Sequence, residues 1–162
     1  MPGLAGPLFN SVYISALGAG FTLLAAFPVA YLAVTKKSKT TYIIERISYL
    51  GFALPGIVIG LALVFFGIRY LAPIYQTRTM LVAAYVILFL PIALGPLRTS
   101  FLQLGPRVGE AARSLGKSHS GVMAGVTIPL SVPGIVTGTL LTFLVTMREL
   151  PATLILSPIG FK

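Results

Sequence analysis

Glu110-Ala111-Ala112-Arg113-Ser114-Leu115-Gly116, separated by nine residues from Val126-Thr127-Ile128-Pro129, is a polar, helix-forming stretch in a very apolar chain. Val108, Ala111, Ala112 and Leu115 fall at i, i+3, i+4 and i+7 and share one helical face, while Arg107, Glu110 and Ser114 share the opposite one. Gly105-Pro106 breaks whatever precedes this segment, so a short helix is expected over 107–115. Gly116 suits the left-handed residue that ends such a helix. Taken alone, the segment reads as an interfacial amphipathic helix with Glu110 paired to Arg107 or Arg113.

Around it the chain is built for lipid. Of its 162 residues 56% are hydrophobic and only 9% charged, with a mean hydropathy of +0.96. Soluble domains carry about 25% charged residues, and a soluble core of this size has no room for so much apolar surface. Uncharged runs cover 1–35, 47–68, 79–97 and 118–147, with His119 near the start of the last. Each has at least 19 residues, close to the ~20 that a spanning helix needs. A fifth run, 150–161, is too short to cross alone. The runs do not alternate as barrel strands do, and a spanning segment must satisfy its own backbone hydrogen bonds. The expected fold is an all-α membrane protein, a polytopic transmembrane helix bundle forming one domain over 1–162. Its spans are expected at about 9–34, 47–68, 80–97 and 122–147, with a loop over about 98–121.

The net charge of +9 raises the question of nucleic acid, but the basic residues form no soluble patch. Lys36, Lys37, Lys39 and Arg46 lie between the first two spans, and Arg98, Arg107, Arg113 and Lys117 between the third and fourth. Only Arg69 and Arg78 lie between the second and third. Alternate loops are thus basic, the positive-inside pattern. It puts the first and third loops in the cytoplasm of a multi-pass membrane protein, with the N-terminus outside, and it leaves no role for nucleic acid.

The spans are rich in glycine and proline. Gly56/Gly60, Gly121/Gly125 and Gly134/Gly138 are small-xxx-small pairs that allow close helix approach. Pro28, Pro55, Pro91, Pro129 and Pro133 favour kinks. A packed, bent bundle is expected rather than a simple anchor, and no internal repeat is visible. Without cysteine there is no disulfide or thiolate metal site. Met1-Pro2-Gly3 offers no basic residue ahead of the apolar run, so a cleaved signal peptide is not expected. The chain stops soon after a short apolar segment, so the bundle is expected to be incomplete at its C-terminus.

Enzyme chemistry has little to work with: no Asp, no Cys, one His and three Glu. No catalytic residue, metal ligand set or cofactor site is expected, and no Gly-x-x-x-x-Gly-Lys is present to cradle ATP phosphates. His119 reads as a surface or helix-entry residue. Glu45-Arg46 reads as a solvated ion pair at the membrane surface. Thr139, Thr142 and Thr146 share a face leading to Glu149, a candidate translocation path, since an ionisable residue near the membrane is a functional candidate by default. The competing reading bonds each threonine to its own i−4 carbonyl.

With the Gly116 and Pro129 spacings counted, the opening stretch resembles the cytoplasmic coupling signature of the inner-membrane permease component of binding-protein-dependent ABC importers. Val126 and Ile128 stand where that family usually has Ile and Leu. Asn10-Ser11, Leu54-Pro55-Gly56 and Leu90-Pro91 also look similar, so the resemblance covers nearly the whole chain. It implies a coupling helix whose docking residues are Glu110, Ala111, Ala112 and Gly116, with Val126, Ile128 and Pro129 supporting. It implies as partners an ABC ATPase subunit, a periplasmic substrate-binding protein, a second permease half or copy, and the bilayer. ATP hydrolysis then belongs to the partner.

Met147-Arg148-Glu149-Leu150-Pro151-Ala152-Thr153-Leu154, with Ser157-Pro158-Ile159-Gly160-Phe161, resembles the ferric-iron subgroup, with Arg148 in place of Lys and Ser157 in place of Arg. Ferric iron is the substrate this implies. Permeases for phosphonate, thiamine, polyamine or sulfate remain open alternatives. So does a channel or secondary carrier without ATP coupling, which predicts a mid-span acid and inverted repeats.

Overall fold

The structure is a computed structural model and describes residues 5–36 and 38–158. Its elements are α1 (Ala5–Thr35), α2 (Lys39–Ser48), a 3-10 turn (Tyr49–Phe52), α3 (Gly56–Tyr70), a second 3-10 turn (Ala72–Ile74) and α4 (Arg78–Ser114). They continue with α5 (His119–Val122), a π-helical turn (Met123–Thr127), α6 (Ile128–Leu130), α7 (Val132–Met147) and α8 (Pro151–Leu156). No strand occurs among the described residues. The protein is an all-α membrane protein.

Two helices are long and apolar enough to cross a membrane by themselves, Gly6–Thr35 and Arg78–Gly105. At 1.5 Å per residue a 30-residue helix reaches about 45 Å, more than the ~30 Å of hydrocarbon. The other two expected spans are bent pairs. The stretch read as 47–68 turns by 106° between Lys39–Phe52 and Gly56–Tyr70, and that read as 122–147 turns by 64° between His119–Leu130 and Val132–Met147. Proline explains both breaks. Pro55 sits extended at φ −61, ψ 144 as the N-cap of α3, where it cannot donate to the preceding turn. Pro129 and Pro133 flank Ser131, whose hydroxyl and N–H both reach the Ile128 carbonyl at the bend. Pro28 and Pro91, also expected to favour kinks, lie where the helix continues on both sides of them.

α4 is the hub. Its Leu81, Ala84, Tyr85, Leu88 and Phe89 pack with Ile14 of α1, Ile59 of α3 and Ala152 of α8. Further along, Ala93, Leu94, Leu97 and Phe101 pack with Ala26 and Ala30 of α1, and the Phe101 ring meets Phe27 and Tyr31 edge-on at 5.3 and 5.7 Å. Small residues bring the helices close. A Cβ on Gly134 would meet the Pro96 carbonyl oxygen at 2.7 Å, and one on Gly138 would meet that of Ala93 at 3.3 Å. Gly60 likewise lies against Ala152 and Ile155. The third expected pair does not join helices: Gly121 and Gly125 lie beside Ser118 and Lys117 of their own loop.

These contacts give the directions. α1 runs parallel to α4, because Gly18 meets Tyr85 while Phe27 meets Phe101; α7 runs antiparallel, because Gly134 meets Pro96 while Gly138 meets Ala93. α1 and α4 thus point one way and α7 the other. One end of the bundle therefore gathers the two basic loops, and there Arg98 of α4 pairs with Glu45 of α2 at 2.9 Å. This corrects the expected Glu45-Arg46 pair. Neighbouring residues on a helix point about 100° apart, so Glu45 turns to α4 while the Arg46 guanidinium lies over the Tyr42 ring, 4.6 Å from its centroid.

Candidate coupling site

α4 does not stop where the hydrocarbon-length stretch ends. At Gly105 the backbone takes φ 64, ψ 166, a region essentially reserved for glycine. The following Pro106 disfavours the α conformation at residue 105 in any case, so the chain swings out and resumes as helix over 106–114. The arm closes with two hydrogen bonds: Gly116 N–H to the Arg113 carbonyl, 2.9 Å, and Lys117 N–H to the Ala112 carbonyl, 3.3 Å. With Gly116 at φ 83, this is the Schellman arrangement that satisfies the last carbonyls of a helix. Ser118 then caps α5, its hydroxyl accepting from Gly121 N–H at 3.2 Å.

The arm is largely bare. Glu110, Ala111 and Gly116 are exposed, and Leu115 is 85% exposed at the tip. Ala112 departs from the expected docking set, because it is only 8% exposed and turns into the protein. The reason is rotational: residues 111 and 112 sit about 100° apart on a helix, and one side of the arm rests on the start of the next helix, with Gly109 beside Val122. No ion pair holds Glu110 to Arg107 or Arg113; among the described residues the pair formed is Arg98–Glu45.

Behind the arm lies a cavity of about 330 Å³ between the end of α1 and the π-helical turn, walled by Tyr31, Phe101, Val108, Val122 and Val126, with Glu110, Arg113 and His119 also lining it. Val126 thus faces the arm across this space, while Ile128 and Pro129 are exposed beside the bend. His119 begins α5 at the surface, and no cluster of metal-ligating side chains exists among the described residues.

The threonine row lies elsewhere, inside the bundle. Thr139 and Thr146 donate to the carbonyls of Ile135 and Thr142, each at 2.7 Å. Thr142 is fully buried, and its hydroxyl has no partner. Glu149 is half-buried between α7 and α8, where its Oε1 accepts from Ala152 N–H at 3.1 Å. Its carboxylate presses on Gly56, where any Cβ would collide with it. The Thr153 hydroxyl bonds the Glu149 carbonyl and also meets the Tyr85 hydroxyl, at 2.7 Å. Sequence reasoning found Glu149, read Gly56 and Thr153 only as parts of other motifs, and missed Tyr85. The acid two residues before Pro151, at the start of a helix, was the available sign of capping. Gly160 and Phe161 of the resemblance lie outside the described residues.

The bundle thus combines membrane-length helices with one exposed and well-capped arm. The chain belongs to the family of binding-protein-dependent transport system inner membrane components, whose family model matches residues 13–160. It is 40% identical over 153 residues to the Fe(3+)-transport system permease protein FbpB 2 of Haemophilus influenzae, covering 94% of this chain and 30% of that relative. It is 23% identical over 150 residues to the molybdate/tungstate transport system permease protein WtpB of Pyrococcus abyssi, covering 93% and 59%. It is 27% identical over 159 residues to the molybdenum transport system permease protein ModB of Escherichia coli, covering 89% and 68%. The chain therefore spans 30% and 59% of the length of the first two.

Proposed function

We propose that the chain forms the membrane part of an ATP-driven importer and that the arm over 106–116 is where a separate ATPase subunit grips it. The observation that carries this reading is the bare arm itself. An 85%-exposed leucine beside an exposed Glu110 and Ala111 is a poor water-facing surface and a good contact for a groove. The two basic loops then face the cytoplasm, and the N-terminus faces the periplasm, where a substrate-binding protein delivers the solute. A second permease half or copy completes the path. ATP-driven closure of the ATPase pulls the arm about Gly105 and shifts the balance between inward-open and outward-open packings, as any differential contact must.

The proposed cargo is ferric iron. This rests on the iron permease among the relatives and on the 147–154 segment. The molybdate relatives, at 23 and 27% identity, make molybdate the competing cargo. Uptake of radioactive iron against radioactive molybdate by cells carrying the transporter separates the two.

The coupling reading is tested by a single cysteine at Leu115, since the chain has none of its own. Ala112 is too enclosed to serve. Cross-linking to one cysteine in the ATPase groove should form, with a yield that changes on adding ATP. A properly inserted protein that cross-links at no groove position would return the arm to a plain interfacial helix and favour a channel or carrier.

A further inference from the structure

We infer that the cleft between the first halves of α1 and α4 seats one phospholipid, with an acyl chain in the cleft and the phosphate on Arg78. Two charges on α4 mark the depth of the bilayer. Arg78 and Arg98 are both exposed and lie about 20 residues apart on the helix, or about 30 Å at its rise per residue. That equals the ~30 Å of hydrocarbon, so one arginine stands at each headgroup level and Leu88 lies near the midplane.

The cleft, about 500 Å³, runs from Arg78 to Ile87. By the same rise this is about 14 Å, close to the depth of one leaflet. Leu17 and Phe21 of α1 wall one side and Val82, Ala83, Val86 and Ile87 of α4 the other, with the small Ala83 opening space between larger neighbours. Only Arg78 and Thr79 among the lining residues are polar, both at one end, and no acid lines the cleft. An apolar channel with a cation at its headgroup end matches the division of a phospholipid into tail and phosphate. The guanidinium fork suits phosphate oxygens, and it is held at that level over the Tyr13 ring, 6.0 Å from its centroid, an aromatic anchor of the kind found at membrane interfaces. Naming this leaflet the outer one rests on the orientation proposed above; the seat itself does not.

In the test, the full chain is reconstituted in phosphatidylcholine vesicles with a trace of phosphatidylglycerol carrying a photoactivatable diazirine in its acyl chain. Labelled peptides are mapped by mass spectrometry. Adducts should concentrate in 17–21 and 82–87, above those on Leu140 and Leu144, which are 56 and 57% exposed on α7. Excess unlabelled phosphatidylglycerol should compete the cleft adducts away. Arg78→Gln should cut them about fivefold, the share of one basic group at an anionic headgroup, and Arg78→Lys should keep most of them. Ala83→Phe, which fills the cleft from an exposed position, should abolish them and leave the α7 adducts unchanged. Equal labelling of both surfaces, indifferent to Arg78→Gln, would mean passing bulk lipid only and would overturn the inference. So would labelling of α7 with none in the cleft, which would mean that protein covers it. No ATPase or cargo is needed, so failure here and failure of the importer reading are separate results.

Discussion

α4 contains both extremes of this molecule on either side of one residue. Before Gly105 it is the most enclosed helix of the bundle, with Leu81, Ala84, Leu94 and Leu97 essentially without exposed surface. After Gly105 only Ala112 is buried among the residues up to Lys117 whose exposure is described. The first part is fixed by packing against α1, α3, α7 and α8. The second is fixed by local backbone chemistry, namely a glycine break, a Schellman cap and a serine N-cap. A tightly packed segment joined to an exposed arm follows from that division, and each variant below acts on one side of it.

The largest effect is expected in the packed part. Gly134→Val places a branched side chain where the nearest backbone atom, the Pro96 carbonyl oxygen, would lie 2.7 Å from its Cβ. Backbone cannot swing aside as a flexible side chain can. The destabilisation should reach about 3 kcal/mol, the upper end for overpacking, seen as a lower midpoint of thermal unfolding in detergent. An unchanged midpoint would mean that α4 and α7 are not held at this distance.

Gly105→Ala comes next and should act on the joint alone. Nothing lies within 4 Å of an added Cβ, so the whole penalty comes from φ 64, ψ 166, about 1–3 kcal/mol for a side-chain-bearing residue. The arm should yield first. Amide exchange should rise over 106–116 and stay slow in 80–101. Faster exchange in both parts would show that the break is not an independent joint.

Thr142→Val returns to the packed part with the opposite sign. The Thr142 hydroxyl is buried without a partner, and removing an unsatisfied polar group while keeping the shape is neutral or stabilising, by up to about 1 kcal/mol. Thr146→Val, by contrast, removes a 2.7 Å hydrogen bond and should gain less than Thr142→Val or destabilise. If Thr142→Val preserves the fold but abolishes uptake, the hydroxyl belongs to the proposed path. If uptake also persists, it does not.

The contrast within α4 was half legible in the sequence. Uncharged runs marked the apolar helices, and Gly105-Pro106 with Gly116 marked the arm and its ends, because these signals are local. Which helix would be central was not readable, since α1 and α4 are similarly apolar and only tertiary contact separates them. Nor were the breaks at Pro55 and Ser131, because Pro28 and Pro91 are the same residue type and interrupt no helix. Periodicity put Ala111 and Ala112 on one face, but only the position of Val122 shows which of them is enclosed. Glu45 and Glu149 were read from their sequence neighbours, whereas their contacts include Arg98 and Gly56, distant in the chain.

The smallest effect on stability is expected at the tip of the arm, and it bears most directly on function. Leu115→Ser removes an apolar side chain that is 85% exposed and so loses almost no burial within this chain. Its backbone hydrogen bond to the Ala111 carbonyl, 3.2 Å, does not depend on the side chain. Such surface changes stay within about 0.5 kcal/mol, and the unfolding midpoint should not move. If the arm docks on an ATPase, the same leucine becomes a buried contact, where losing a large apolar side chain costs roughly 2–5 kcal/mol. Pull-down of the ATPase and ATP-dependent uptake should then both fall sharply in a protein of unchanged stability. A variant that is both stable and fully active would leave the exposed leucine without a role and remove the strongest support for the arm as a handle.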